Sequence, residues 1–153
     1  MDSINLAGRI KFDCYKSDGS LKWSTGWVSN GITNAGKAQI ALLAGDGSAT
    51  AFTYLAVGTS STAFAASQTA LQAEITDSGL ARAAATVSRV TTTQTNDTLQ
   101  LTKTWTVSGT KTIEEVGIFN DATTGTMLGR ALTSTKSVVS GETVIGTYQV
   151  KFA

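Results

Sequence analysis

Hydrophobic and polar residues alternate with a period of two along most of this chain, the pattern of strands with one buried face. Between residues 7 and 16, Ile10, Phe12 and Cys14 share a face opposite Arg9, Lys11 and Asp13. Asp18-Gly19 is a turn signal, and Leu21 to Val28 reads as the return strand of a hairpin, interrupted at Gly26. The clearest alternation sets Leu99, Leu101, Lys103, Trp105 and Val107 against Gln100, Thr102, Thr104 and Thr106. In the last segment Val144, Tyr148, Val150 and Phe152 oppose Ile145, Thr147, Gln149 and Lys151, which predicts a C-terminus paired into a sheet. Further strands are expected over 52–57, 82–94, 112–119 and 127–132, with turns or loops at Asn96-Asp97, Ser108-Gly109-Thr110, Asn120 to Gly125 and Ser140-Gly141-Glu142. In the strand over 112–119, Val116 and Ile118 fall on one face and Phe119 on the other, with Gly117 allowing close approach.

One stretch has helical spacing instead. Thr33 or Asn34 can cap a helix over about residues 34–44 by accepting an orphan backbone N–H. Ala38, Ala41, Leu42 and Gly45 then form its apolar stripe, widened by Ile40 and Leu43, and Gly45 is expected to end it in a left-handed conformation. Thr69 to Ile75 suggests a short helical turn. The span from Gly58 to Gly79 is too long for an ordinary connection and reads as a binding arm or functional loop. Residues 1–8 suggest a short N-terminal arm. The predicted fold is therefore mainly β: one domain over residues 1–153, an antiparallel β-sandwich or jelly-roll-like structure with one short helix.

Composition supports strands and turns. Only 15% of the 153 residues are charged, against an average of about 25%, and Thr, Ser and Gly take up the difference. The net charge of +1 and the lack of any Lys/Arg cluster disfavour nucleic-acid binding, in which phosphate contacts supply most of the affinity. Apolar runs such as Ala38 to Ala44 are far shorter than the ~20 residues a membrane span needs. The N-terminal Met1-Asp2-Ser3-Ile4-Asn5 lacks the features of a signal peptide, and Cys14 has no partner for an intrachain disulfide, so synthesis in a reducing cytoplasm is expected. There is no Pro to blunt sheet edges, so neighbouring subunits are expected to cover them.

The residues that usually carry chemistry are sparse. With no histidine, Ser-His-Asp and Cys-His arrangements cannot form, and zinc or iron sites lose their commonest ligand. Cys14 reads as a small buried hydrophobe. Gly58-Thr59-Ser60-Ser61 lacks the core of a phosphate loop. Glu114 and Glu115 are adjacent, so on a strand they point to opposite faces, and one of them is expected to pair inward with Arg82 or Arg89. Catalytic residues, cofactors and metals are all expected to be absent. The candidate partner or oligomer contacts are Trp23, Trp27, Phe64 and Leu71, apolar side chains of the N-terminal hairpin and the long excursion.

Three segments carry a resemblance. The first runs from Trp27 to Asp46, with Thr33-Asn34-Ala35-Gly36 opening the helix and Leu42-Leu43-Ala44-Gly45-Asp46 closing it. The second is Tyr54-Leu55-Ala56-Val57-Gly58-Thr59 with its small-residue loop and Thr69-Ala70-Leu71. The third is Glu114-Glu115-Val116-Gly117-Ile118-Phe119-Asn120 with Gly125-Thr126-Met127-Leu128-Gly129-Arg130-Ala131. Together they resemble the structural proteins of tailed-bacteriophage virions, most of all capsid decoration (cement) proteins. The loop of the second segment departs from that pattern, with Ala65-Ala66 where look-alikes usually carry Pro. The resemblance implies a non-enzymatic β-sandwich, often trimeric, that binds the major capsid protein lattice on the capsid exterior and ties it together. Tail or fibre components share such motifs. One alternative is thus a receptor-binding module recognising host carbohydrate, with Trp23, Trp27, Tyr54 and Phe64 exposed in one plane. A carbohydrate-active enzyme is a further one, requiring two carboxylates about 5–10 Å apart in a cleft.

Overall fold

The computed structural model describes residues 3–153, and these form eleven strands and one helix in two antiparallel sheets. The strands are β1 (Leu6–Tyr15), β2 (Leu21–Ser24), β3 (Val28–Ser29), β4 (Gly31–Ile32), β5 (Tyr54–Gly58), β6 (Ala83–Ala84), β7 (Thr86–Val90), β8 (Thr98–Thr106), β9 (Lys111–Phe119), β10 (Met127–Val138) and β11 (Thr143–Phe152), with helix α1 (Asn34–Gly45) between β4 and β5. The first sheet has the order β2-β1-β11-β8-β7, with β3 also pairing β1, and the second has the order β4-β10-β9-β5-β6. The result is the expected mainly-β sandwich.

The period-two alternation decides which residues lie between the sheets. Ile10, Phe12, Cys14, Leu101, Trp105, Val144, Tyr148 and Val150 of the first sheet meet Leu55, Val57, Val116, Ile118, Leu128 and Ala131 of the second. Phe12 and Trp105 pack with ring centroids 6.4 Å apart. The C-terminal strand is paired as expected, with Phe152 opposite Leu6. Asn5 also exchanges backbone hydrogen bonds with Ala153, so the N-terminal segment is tied to the sheet from Asn5 onward. Met1 and Asp2, the tip of the expected arm, lie outside the described residues.

Several expectations need correction. The segment 82–94 is not one long strand. It breaks at Ala85, so that β6 pairs β5 in one sheet while β7 pairs β8 in the other. The strand expected at 127–132 continues to Val138, because a register shift after Leu132 lets it follow β9 further. Thr33 caps α1, its Oγ1 accepting from the Gly36 N–H at 2.8 Å. The helix presents Gly36, Ile40 and Leu43 to the sandwich, while Ala38, Ala41, Leu42 and Gly45 are exposed. Gly36 sets this rotation: a Cβ there would lie 2.5 Å from the Leu128 carbonyl oxygen, so the helix rests on β10 by its backbone. Gly45 does not take the left-handed conformation. The helix ends at Asp46, whose extended backbone donates to the Leu42 carbonyl at 2.8 Å.

Candidate functional site

The excursion from Gly58 to Gly79 is folded down on the outer face of the second sheet. Residues 69–75 are not helical; Glu74 instead forms an antiparallel bridge with Gly58. Glu115, on the outer face of the second sheet and buried beneath the excursion, holds the loop: its Oε2 accepts from the Gln72 N–H at 3.0 Å and its Oε1 from the Ala73 N–H at 2.7 Å. The same carboxylate accepts from Arg130 Nε at 2.6 Å, and both side chains are fully buried. Arg130 also donates through Nη1 to the Thr62 carbonyl at 2.8 Å and to Gln68 Oε1 at 3.3 Å. Glycine is required at position 58, where a Cβ would come 2.3 Å from Glu115 Oε1.

The buried carboxylate therefore lies under the excursion and not between the sheets, and it pairs with Arg130, not with Arg82 or Arg89. Arg82 instead bridges Glu74 at 2.7 Å and lies 3.6 Å over the Phe119 ring. Burying an ion pair is costly unless further hydrogen bonds satisfy both partners, and the loop backbone supplies them here. Sequence could not single out Arg130, because only the β9–β10 register brings it beside Glu115.

Two of the four candidate contacts serve this loop. Leu71 is buried in a second apolar cluster with Ala56, Phe119 and Met127, which the excursion roofs over. Phe64 is half-buried with its ring against Gly31. Trp23 is half-buried at the other end of the molecule, its indole N–H donating to the Ser137 carbonyl at 2.9 Å and so tying β2 of the first sheet to β10 of the second. Trp27 alone of the four is largely open, at 42% exposure, and it stands on the outer face of the first sheet under the Arg9 guanidinium, 4.2 Å from the ring centroid.

That outer face is polar. Its residues form rows across the strands. Lys11, Thr147, Thr102 and Thr86 make one row, and Arg9, Gln149, Gln100 and Ser88 the next. The second row is a hydrogen-bond relay. Arg9 Nε donates to Gln149 Oε1 at 2.8 Å, Gln149 Nε2 to Gln100 Oε1 at 2.7 Å, and Gln100 Nε2 to Ser88 Oγ at 3.4 Å. Arginine can only donate, so it fixes the orientation of both amides down the row. Beside the relay, Arg9, Gln149, Lys151, Thr92, Thr98 and Ser29 line an open cleft of about 300 Å³. The alternation had shown Gln100 and Gln149 on polar faces, but their alignment depends on a register between distant strands.

The lone thiol is inert by construction. Cys14 is buried, and burial, followed by the charge of Glu142, pushes its pKa up to about 11. Glu142 accepts from the Val139 N–H at 2.9 Å and pairs with Lys22 at 2.8 Å. Desolvation works against its ionised form, yet the Lys22 hydrogen bond and the Val139 N–H outweigh it and hold the carboxyl below the usual range. Among the described residues no group of three or more His, Cys, Asp or Glu side chains converges to hold a metal ion, and no helix is long and apolar enough to cross a membrane. No family model matches the chain, and no curated protein or solved structure is significantly similar to it.

Proposed function

We propose that the chain is a non-enzymatic virion structural protein, a capsid decoration protein that binds the major capsid protein lattice as a homotrimer and stabilises the head. The observation that carries this reading is the outer face of the first sheet, a polar surface stiffened by the Arg9–Gln149–Gln100–Ser88 relay. A preorganised face loses little freedom on docking, and repetition across a symmetric lattice multiplies weak contacts. The segment resemblance supports the same assignment. The carbohydrate-binding alternative draws on Trp27 beside an open polar cleft. It lacks the shared aromatic plane, because Tyr54 packs with the cluster on the second sheet while Trp27 stands on the first. The test is co-sedimentation of the purified chain with expanded, undecorated heads from the same genome. Saturable binding near one trimer per local three-fold position is expected. Capture of glycans with heads left bare contradicts the assignment.

A further inference from the structure

We propose that the cleft between Arg9 and Lys151 is a carboxylate-recognition site that takes an acidic segment of the protein partner. The inference deepens the assembly reading by naming the chemistry of the segment that docks. It starts from unbalanced charge. Among the described residues the buried Arg130 and the half-buried Arg82 each sit beside a carboxylate, Glu115 and Glu74 in turn. Arg9, exposed on the outer face, and Lys151, half-buried in the adjoining row, have no carboxylate oxygen within 4.0 Å among the described residues.

Arg9 is nonetheless held in place. Its Nε is fixed by Gln149 and its plane rests on Trp27. Gln149 is itself only 8% exposed and locked to Gln100, so the fork cannot swing away cheaply. No hydrogen bond among the described residues uses either Nη nitrogen of Arg9, so both stay available for a two-point contact with a carboxylate. Lys151 lies in the adjoining row of the sheet, opposite Ala7 and Thr98, and donates to Thr93 Oγ1 at the rim. The nearest acid of the loop after β7 does not compete. The Asp97 carboxylate is occupied by the N–H groups of Thr92, Thr93 and Gln94 and by the hydroxyls of Thr92 and Thr98. An aligned guanidinium and a nearby ammonium beside a cleft of about 300 Å³ match one or two side-chain carboxylates on an extended segment.

The test is an NMR titration of the full chain with a capped hexaglutamate peptide at low salt. Saturable shifts of the Arg9 Nε–H, the Gln149 and Gln100 side-chain amides and the Lys151 N–H are expected, fading as salt is raised. Arg9→Gln with Lys151→Gln should weaken the peptide by at least about tenfold while melting like the parent chain. Lys151→Gln alone should give a smaller loss. Absence of saturable shifts at these groups, equal shifts with hexalysine, or undiminished binding by the double variant would overturn the site. Tighter binding of a glucuronate oligosaccharide than of the peptide would overturn the choice of a protein partner. Peptide binding that persists when heads fail to bind still supports the cleft, so the two readings fail separately.

Discussion

At the scale of single residues, the strongest constraints are buried groups with charge. Glu115 and Arg130 sit in the interior with their hydrogen-bonding capacity met by each other and by the loop backbone. Glu115→Gln should therefore destabilise the fold by about 3–5 kcal/mol, read as a lower midpoint in urea denaturation. Glu142 gives a pH dependence. Its folded-state pKa is depressed, so its contribution is fully present above the unfolded value of about 4.3 and is lost as pH falls through the folded one. Glu142→Gln should lower stability at pH 7 and flatten the loss below about pH 4, measured by urea denaturation across pH. Cys14 should stay unreactive toward a thiol reagent at pH 8 until denaturant exposes it; prompt modification of the native chain would contradict its buried, raised-pKa environment. The sequence revealed little of this level. That two adjacent glutamates would point to opposite faces followed from strand geometry, but Glu115 is buried by the excursion and not between the sheets, and its partner lay 15 positions away on a strand whose register no local pattern encodes.

At the scale of elements, alternation was a reliable guide wherever one face was buried and the other wet. β1, β8 and β11 follow it along most of their length, because a one-residue slip would turn Ile10, Leu101 and Tyr148 out to solvent; the exceptions are Thr98 and Gln149, buried on the polar face, and Phe152, exposed at the end of β11. It misled in two places. Residues 82–94 carry the composition of a continuous strand, yet Ala85 is where the chain changes sheets. In α1 a run of small apolar residues left the rotation open, and the close approach of Gly36 to Leu128 decided it. Gly36→Ala should cost about 1–3 kcal/mol through overpacking, despite the better helix propensity of alanine, and thermal melting will show it. The excursion, expected as a binding arm or functional loop, is folded onto the second sheet. Its Gln72 and Ala73 amides should exchange slowly with deuterium in the parent chain and rapidly in Arg130→Gln.

At the scale of the whole molecule, the two sheets divide the labour. The second sheet has its outer face roofed by the chain's own loop, and the first leaves its outer face open, polar and ordered. The sandwich was legible from turn spacing and period. Which face stays open was not, because covering depends on where a long loop lands. The proposed trimer predicts a sedimenting mass of three times the 15.8 kDa chain. The central claim is that this chain decorates a phage head, and cryo-electron microscopy of expanded heads from the same genome, incubated with the purified chain, tests it most directly. The account predicts density that fits the sandwich at the local three-fold positions, with the Arg9–Gln149–Gln100–Ser88 face turned toward the shell. Heads that stay bare at saturating chain, or density confined to the tail, would contradict it.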